Sequence, residues 1–323
     1  MTSTTHAKLI TSSPDAQVSA DAAKDTAAPR FQLQTPTPSQ LFSNLQPDLE
    51  KIVRMALAED FGQEGDITAD SVIPGDLQVT AEVIFKDSGV LAGLPVMQRV
   101  FEILDPGIQF TPLVAEGTYI GEKAVPMKVA TLRGAARSVL SGERTALNLI
   151  QRLSGIATMT YSFVKVARPF KIAILDTRKT TPGLRSLEKY AVRVGGGVNH
   201  RIGLYDRVLI KDNHVRIAGG VSEALARARQ TRPGDVVEVE VTTLAETEAA
   251  ACGGADIIML DNMSPETIKE AIRVIGGRSF VEVSGGVKLS NLSDYLIQGV
   301  DAISVGALTH SIKSIDISLE IEG

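Results

Sequence analysis

The stretch Asp235–Val287 reads DVVEVEVTTLAETEAAACGGADIIMLDNMSPETIKEAIRVIGGRSFVEVSGGV. Three short apolar runs, VVEVEV, DIIML and FVEV, alternate with two segments of helical composition, LAETEAAA and SPETIKEAIRVI. Short strand, helix and short strand in this order is the pattern of parallel βα units. It continues outward in both directions. KIAILDTRKTTPG and DRVLIKDNH lie upstream and DAISVGALTH downstream, with LRSLEKYAVRV, VSEALARARQ and LSNLSDYLIQ read as the intervening helices. Six units starting at Ile172 predict a TIM-like, incomplete parallel α/β barrel. An open doubly wound sheet is the alternative, but no GxGxxG follows the first strand.

The remainder of the chain reads differently. Residues 1–40 are rich in Ser, Thr, Ala, Asp and Pro without an apolar period, and are expected to form a disordered tail. A transit peptide is the rival, but that segment holds one arginine, Arg30, and the acids Asp15, Asp21 and Asp25. Leu49, Ile52, Val53, Ala56 and Leu57 share a helical face, with Asp48 as its expected N-cap. QVTAEVIFKDSGVLAG and KAVPMKVATLRGA read as strands, with FEILDPG and AEGTYIGE as turns between them. An N-terminal α+β sandwich domain is therefore expected over 41–145, and the barrel over 146–312. SVLSGERTALNLIQRLSGIATMTYSFVKVA is the helical material that joins them.

Composition narrows the function. With 323 residues, 44% hydrophobic and 22% charged, the chain matches a globular protein with a sizeable core. No apolar run approaches a bilayer span, so no membrane role is expected. A net charge of -5 argues against a nucleic-acid surface. The single cysteine, Cys252, can form no intramolecular disulfide and points to a reducing, cytoplasmic compartment.

The chemistry is expected at the strand ends, where a parallel barrel carries its site. Alternation puts Glu238 and Glu240 on one face of VVEVEV and the valines on the other, so both glutamates point into the barrel, as do Glu282 and Ser284. Asp261 ends the next strand. Buried carboxylates need cations or a metal, and Arg178 and Lys211 are the candidate partners. Taken singly, each could be a barrel-filling ion pair; as a set at strand ends they indicate a site.

Between Arg178 and Lys211 the chain places eight Lys or Arg residues against two acids. Lys189 and Arg193 read as a solvated helical face. The glycines at 195–197 read as a helix C-cap and turn that delivers Asn199, His200 and Arg201 to the mouth. SGGV (284–287) and SVGALTHS (304–311) follow the last two strands and suggest a phosphate nest. The residues thus ask for a ligand with a phosphate and further negative groups.

At this point the sequence resembles the quinolinate phosphoribosyltransferase family, from about residue 46 to the end. The motifs are EDFGQEGDITAD (59–70), GERTALNLIQRLSGIAT (142–158), DTRKTTPGLRSLEKYAVRVGGGVNHRIGLYDRVLIKDNH (176–214), EVEV (238–241), LDNM (260–263), VSGGV (283–287) and ISVGALTHS (303–311). The resemblance implies that quinolinate and phosphoribosyl pyrophosphate give nicotinate mononucleotide, pyrophosphate and carbon dioxide, in de novo NAD biosynthesis, with Mg²⁺ and no organic cofactor. It implies a quinolinate pocket of Arg144, Arg178, His200, Arg201 and Lys211, flanked by Thr177, with Lys179 reaching toward the pyrophosphate. Glu240 and Asp261 match the positions that face the ribose and Mg-pyrophosphate. Ser284, Gly285, Gly286 and Gly306 match the 5′-phosphate site, and Glu240, Asp261, Lys179 and Lys211 are the implied catalytic set.

The resemblance further implies a homodimer with a shared site, into which Arg144 crosses from the partner. It also implies that a C-terminal strand in 313–323 returns to the N-terminal sheet. Two alternatives stand: a phosphoribosyltransferase of the same fold acting on another pyridine or base, and a non-catalytic phosphometabolite sensor. The five cations favour a dicarboxylate over nicotinate, and the presence of both Glu240 and Asp261 speaks against a sensor.

Overall fold

The computed structural model describes residues 31–33 and 38–322. Most of the expected 1–40 tail lies outside the described residues. Where it is described it is packed: Phe31 meets Phe280 edge-on at 5.5 Å, and Phe31 and Leu33 lie against Leu175, Val198, Ile257 and Ala302.

The first half contains α1 (Pro38–Phe61), α2 (Ile67–Val72), β1 (Gln78–Phe85), β2 (Gly89–Val90), α3 (Leu94–Leu104), β3 (Gln109–Pro112), β4 (Tyr119–Ile120), β5 (Met127–Ala135) and α4 (Ala136–Ala167). The second contains β6 (Ala173–Leu175), α5 (Arg185–Val194), β7 (Val208–Ile210), α6 (Asp212–Ala218), α7 (Val221–Thr231), β8 (Val237–Val241), α8 (Leu244–Cys252), β9 (Ile257–Asp261), α9 (Pro265–Ile275), β10 (Phe280–Ser284), β11 (Ala302–Ser304), α10 (Ala307–His310) and β12 (Ile317–Ile321).

The N-terminal sheet is antiparallel, in the order β12-β1-β5-β3. Ala81, Val83 and Phe85 recur with period two on β1 and are fully buried. The chain's last strand, β12, pairs with β1 from Ala81↔Ile321 to Phe85↔Ile317. Four sequence expectations need correcting here. Asp48 is not an N-cap, because α1 starts at Pro38 and runs through Pro47. A whole helix, α3, stands between the strands where only turns were expected; Leu94, Met97, Val100 and Phe101 form its buried stripe. LSNLSDYLIQ makes only a 3₁₀ turn over Leu292–Tyr295: the Asn291 side chain accepts from the Lys288 amide and donates to the Gly286 carbonyl, a local turn that competes with helix. Lastly, the division at 145/146 falls inside α4. This 32-residue helix, about 48 Å long, packs on α3 at one end and on α5 and β6 at the other.

The six parallel strands run β6-β11-β10-β9-β8-β7. The two ends, β6 and β7, do not pair, so the barrel is open along one seam. Residues 195–201 run into that seam, where Val198 bridges Leu175. Registers stack the inward residues in layers. Ile257 and Phe280 pair at the bottom, over the Phe31 ring. Glu282 and Glu240 flank Met259 above them, and Ser284 lies beside Asp261 at the mouth. Apolar residues thus seal the floor, and polarity rises toward the C-terminal ends of the strands.

Candidate active site

A cavity of about 550 Å³ opens at those strand ends. Thr177, Arg178, Lys179, His200, Arg201, Lys211, Glu240, Asp261, Ser284, Gly285 and Gly286 all line it, together with Leu209, Met259, Asn262 and Ser304. Gly306 sits just behind this lining: a Cβ there would meet the Lys179 stem and the His310 ring at 3.1 Å. Arg144 is not brought into this cavity by its own chain. Its side chain is 63% exposed and lies 3.9 Å from Glu143 on the N-terminal half of α4, outside the cavity of its own chain.

The carboxylates alternate as expected, since Val237, Val239 and Val241 face the helices and Glu238 and Glu240 face inward. Lys211 at the end of β7 pairs with Glu240, as anticipated. The buried Glu238 does not use Arg178. Its partners are His200 Nε2 and Arg207 Nη1, both at 3.1 Å, because these reach below the mouth while Arg178 stays on the rim loop. Glu282 lies 3.5 Å from His200 Nε2 and accepts from the Ser304 hydroxyl.

Electrostatics separate the two buried acids. Burial raises Glu238, but His200 and Arg207 pull it below the usual carboxylate range. Burial, reinforced by Glu238, pushes Glu282 up to about 7. Burial alone would lower His200, yet Glu282 and Glu238 more than offset this and leave it raised. The Arg201 amide donates to His200 Nδ1 at 2.8 Å, which places the ring's first proton on Nε2, facing the acids. Burial and then the neighbouring Arg178 lower Arg201. The Nε–H of Arg178 is buried and has no protein partner among the described residues.

Glycine chemistry shapes two edges of the site. Gly195 caps α5 and Gly196 takes φ +88°, turning the chain into the seam as the three-glycine run suggested. At φ +94°, Gly285 lies so close to Asn262 that a Cβ would strike both its side chain and its amide. The Asn262 amide donates to the Ser284 carbonyl at 2.9 Å, so the β9 and β10 ends are locked together around Ser284–Gly286.

One expectation fails instructively. Lys189 is 2% exposed and pairs with the fully buried Asp176, and the half-buried Arg193 donates to the Gly197 carbonyl at 2.8 Å. Neither belongs to a solvated face, because α5 covers the seam and is itself packed under α1 and α4. Arg185, also on α5, donates to the Ile202 and Arg178 carbonyls at 3.1 and 3.4 Å, bridging the two cationic loops. Buried Glu188 accepts from Arg152 and from the Thr181 amide. Sequence reasoning gave these residues no part in the site; Ser304 could have been found from its alternation with inward-facing Ala302, and Asn262 from its place beside Asp261.

Known proteins resemble this chain along most of its length. Residues 66–154 match the quinolinate phosphoribosyl transferase N-terminal domain and 156–320 its C-terminal domain. A probable carboxylating nicotinate-nucleotide pyrophosphorylase of Bacillus subtilis is 44% identical over 274 residues, 84% of this chain and 93% of the relative. The chloroplastic carboxylating enzyme of rice is 40% identical, covering 85% and 78%. The crystal structure of NadC from Streptococcus pyogenes superposes with TM-score 0.81 at 42% identity, covering 90% of this chain and 98% of that one. Human nicotinic acid phosphoribosyltransferase, at 12% identity and TM-score 0.58, shares the fold alone.

Proposed function

The chain belongs to the quinolinate phosphoribosyltransferase family, and from that premise we propose how the barrel-mouth cavity brings quinolinate and phosphoribosyl pyrophosphate together. Its function is that of the family: phosphoribosyl transfer to quinolinate with decarboxylation, giving nicotinate mononucleotide, pyrophosphate and carbon dioxide for NAD biosynthesis. The observation that carries the assignment of residues is one cavity lined by the cations Arg178, His200, Arg201 and Lys211 together with the acids Glu240 and Asp261.

Quinolinate carries two carboxylates, which accept bidentate hydrogen bonds from guanidinium forks. Arg178 and Arg201 take this role with Lys211 beside them, and His200, its Nε2–H turned to Glu238 and Glu282, backs the wall from below. The 5′-phosphate occupies the turn Ser284–Gly286, whose positive-φ glycines expose backbone amides. Lys179 extends from the rim toward the pyrophosphate. Departure of pyrophosphate leaves oxocarbenium character at the ribose, which the carboxylates of Glu240 and Asp261 stabilise. The pyridine nitrogen attacks and becomes a pyridinium, whose positive charge stabilises the electron pair left on C2 when the 2-carboxylate departs as carbon dioxide; a proton from water then bonds to C2.

Hard oxygen donors suit Mg²⁺. Glu240 and Asp261 present such donors to one space at adjacent strand ends, so they fit that ion held largely through the substrate's pyrophosphate. Bound there, it would neutralise charge building on the leaving group.

The exposed Arg144 serves a homodimer, in which it enters the partner's cavity and completes the dicarboxylate pocket. No helix among the described residues is long and apolar enough to cross a membrane, and we place the enzyme in the cytoplasm. Incubation with quinolinate, phosphoribosyl pyrophosphate and Mg²⁺ should yield equal amounts of carbon dioxide and nicotinate mononucleotide. Product from nicotinate but none from quinolinate would overturn the assignment.

A further inference from the structure

His200 and Arg201 carry much of the cationic wall, yet neither lies on a barrel strand. They follow Val198 through the open seam, where no ladder fixes them beyond its single bridge to Leu175. What holds them is a buried ion pair that the reaction itself does not use. Asp176, fully buried just past β6, accepts from the His200 amide at 2.9 Å and from the Asn199 side chain at 2.5 Å. Lys189, from the inner side of α5, donates to Asp176 and, at 3.0 Å, to the His200 carbonyl. The Asn199 side chain donates as well to the Lys189 carbonyl at 2.9 Å. Both flanks of His200, its N–H and its C=O, are therefore tied to one charge pair anchored on two rigid elements.

Such a pair is a poor source of stability. Two ions removed from water gain little over an apolar pair of equal volume. Burial lowers Lys189 and raises Asp176, each opposed by the other. What an apolar pair cannot supply is direction, since it has no atoms to hold a peptide N–H and its C=O at the same time.

We propose that Asp176 and Lys189 are positioning residues for quinolinate, holding the His200–Arg201 segment at the distance from Arg178 and Lys211 that a dicarboxylate requires. This rests on the reading of His200 and Arg201 as quinolinate ligands. A displacement of the segment by about 1 Å would weaken quinolinate recognition roughly ten- to a hundred-fold. The 5′-phosphate turn on the far side of the barrel would not move with it.

The test is the double variant Asp176→Asn/Lys189→Met, which removes both charges and leaves neither buried alone. Michaelis constants for quinolinate and phosphoribosyl pyrophosphate are measured separately, with the thermal midpoint, beside Arg201→Ala. The expected result is a quinolinate constant raised about ten-fold or more, with the phosphoribosyl pyrophosphate constant within about two-fold and the midpoint unchanged. An unchanged quinolinate constant overturns the proposal, as does a rise in both constants together with a lower midpoint. A double variant that does not fold overturns it too, since the pair would then be serving the fold. If Arg201→Ala raises the quinolinate constant and the double variant does not, positioning fails and the site stands. If Arg201→Ala has no effect, the site reading itself is wrong.

Discussion

Glu282 offers the sharpest test of the barrel's electrostatics, through the change Glu282→Gln. The side chain is fully buried: Oε1 accepts from Ser304 Oγ, while Oε2 has no partner among the described residues. Burial and Glu238 raise it from an ordinary 4.5 to about 7. A raised carboxyl means that the folded state holds a proton the unfolded chain has released. Below about pH 4.5 both states are protonated and nothing is lost; between 4.5 and 7 stability falls as pH rises; above 7 the loss is constant. A shift from 4.5 to about 7, at 1.36 kcal/mol per pH unit, makes that loss about 3 kcal/mol. His200 acts in the same direction, because its raised value contributes stability below about 6.5 that disappears at higher pH. Glutamine keeps the shape and the Ser304 contact and cannot ionise. Urea unfolding at pH 5 and pH 8, at fixed protein concentration, should show Glu282→Gln gaining about 2.5 kcal/mol on the parent protein between the two, since part of the loss has already occurred by pH 5. A difference that stays flat across this range would mean that Glu282 ionises alike in both states, and the layered charge of the barrel would have been misread.

Replacing Arg201 by Ala removes a nearly buried guanidinium from the wall and should raise the quinolinate Michaelis constant by about ten- to a hundred-fold, or abolish turnover; near-parental steady-state kinetics would remove it from the site. Arg144→Ala and Lys211→Ala proteins, each inactive alone, should regain activity when mixed and allowed to exchange subunits. Random pairing puts about half of the molecules in mixed dimers with one intact site each, hence about a quarter of all sites, and no recovery would refute a shared site. Gly285→Ala forces a side chain to φ +94° against Asn262, at a cost of about 1–3 kcal/mol, and should raise the Michaelis constant for phosphoribosyl pyrophosphate more than that for quinolinate.

The parts of the site readable in the sequence were those governed by local periodicity. VEVEV could face only one way once the valines were given to the helices, and SGGV at a strand end could be little else than a tight polar turn. Contacts between distant segments escaped. Lys189 has Leu187, Tyr190 and Ala191 as buried neighbours, which in a ten-residue helix leaves no face for solvent. Its partner Asp176 lies thirteen positions earlier, at the end of a different element. A rule based on i,i+4 cations sees one face of one helix and cannot know that α1 and α4 cover it. The helix α3 escapes for another reason: Gly93, the last residue of a run that reads as strand, is its N-cap, and Pro95 stands in the first turn, where its missing N–H costs nothing.

Why an acidic chain gathers its cations here follows from the layers. Arg178, Arg201 and Lys211 together would repel one another in a dry barrel, and burial already lowers Arg201 with Arg178 adding to the effect. Beneath them sit Glu238 and Glu282, with Arg207 and His200 between, so the wall rests on a layer in which acids and cations offset each other. The lower charges are largely paired and buried, whereas the upper ones line the open cavity. A ligand therefore meets the outer layer first. A single carboxylate would leave part of that wall unmatched, whereas two carboxylates would satisfy it. Discrimination between nicotinate and quinolinate can thus arise from the cost of leaving buried cations unpaired, with no need for a steric gate.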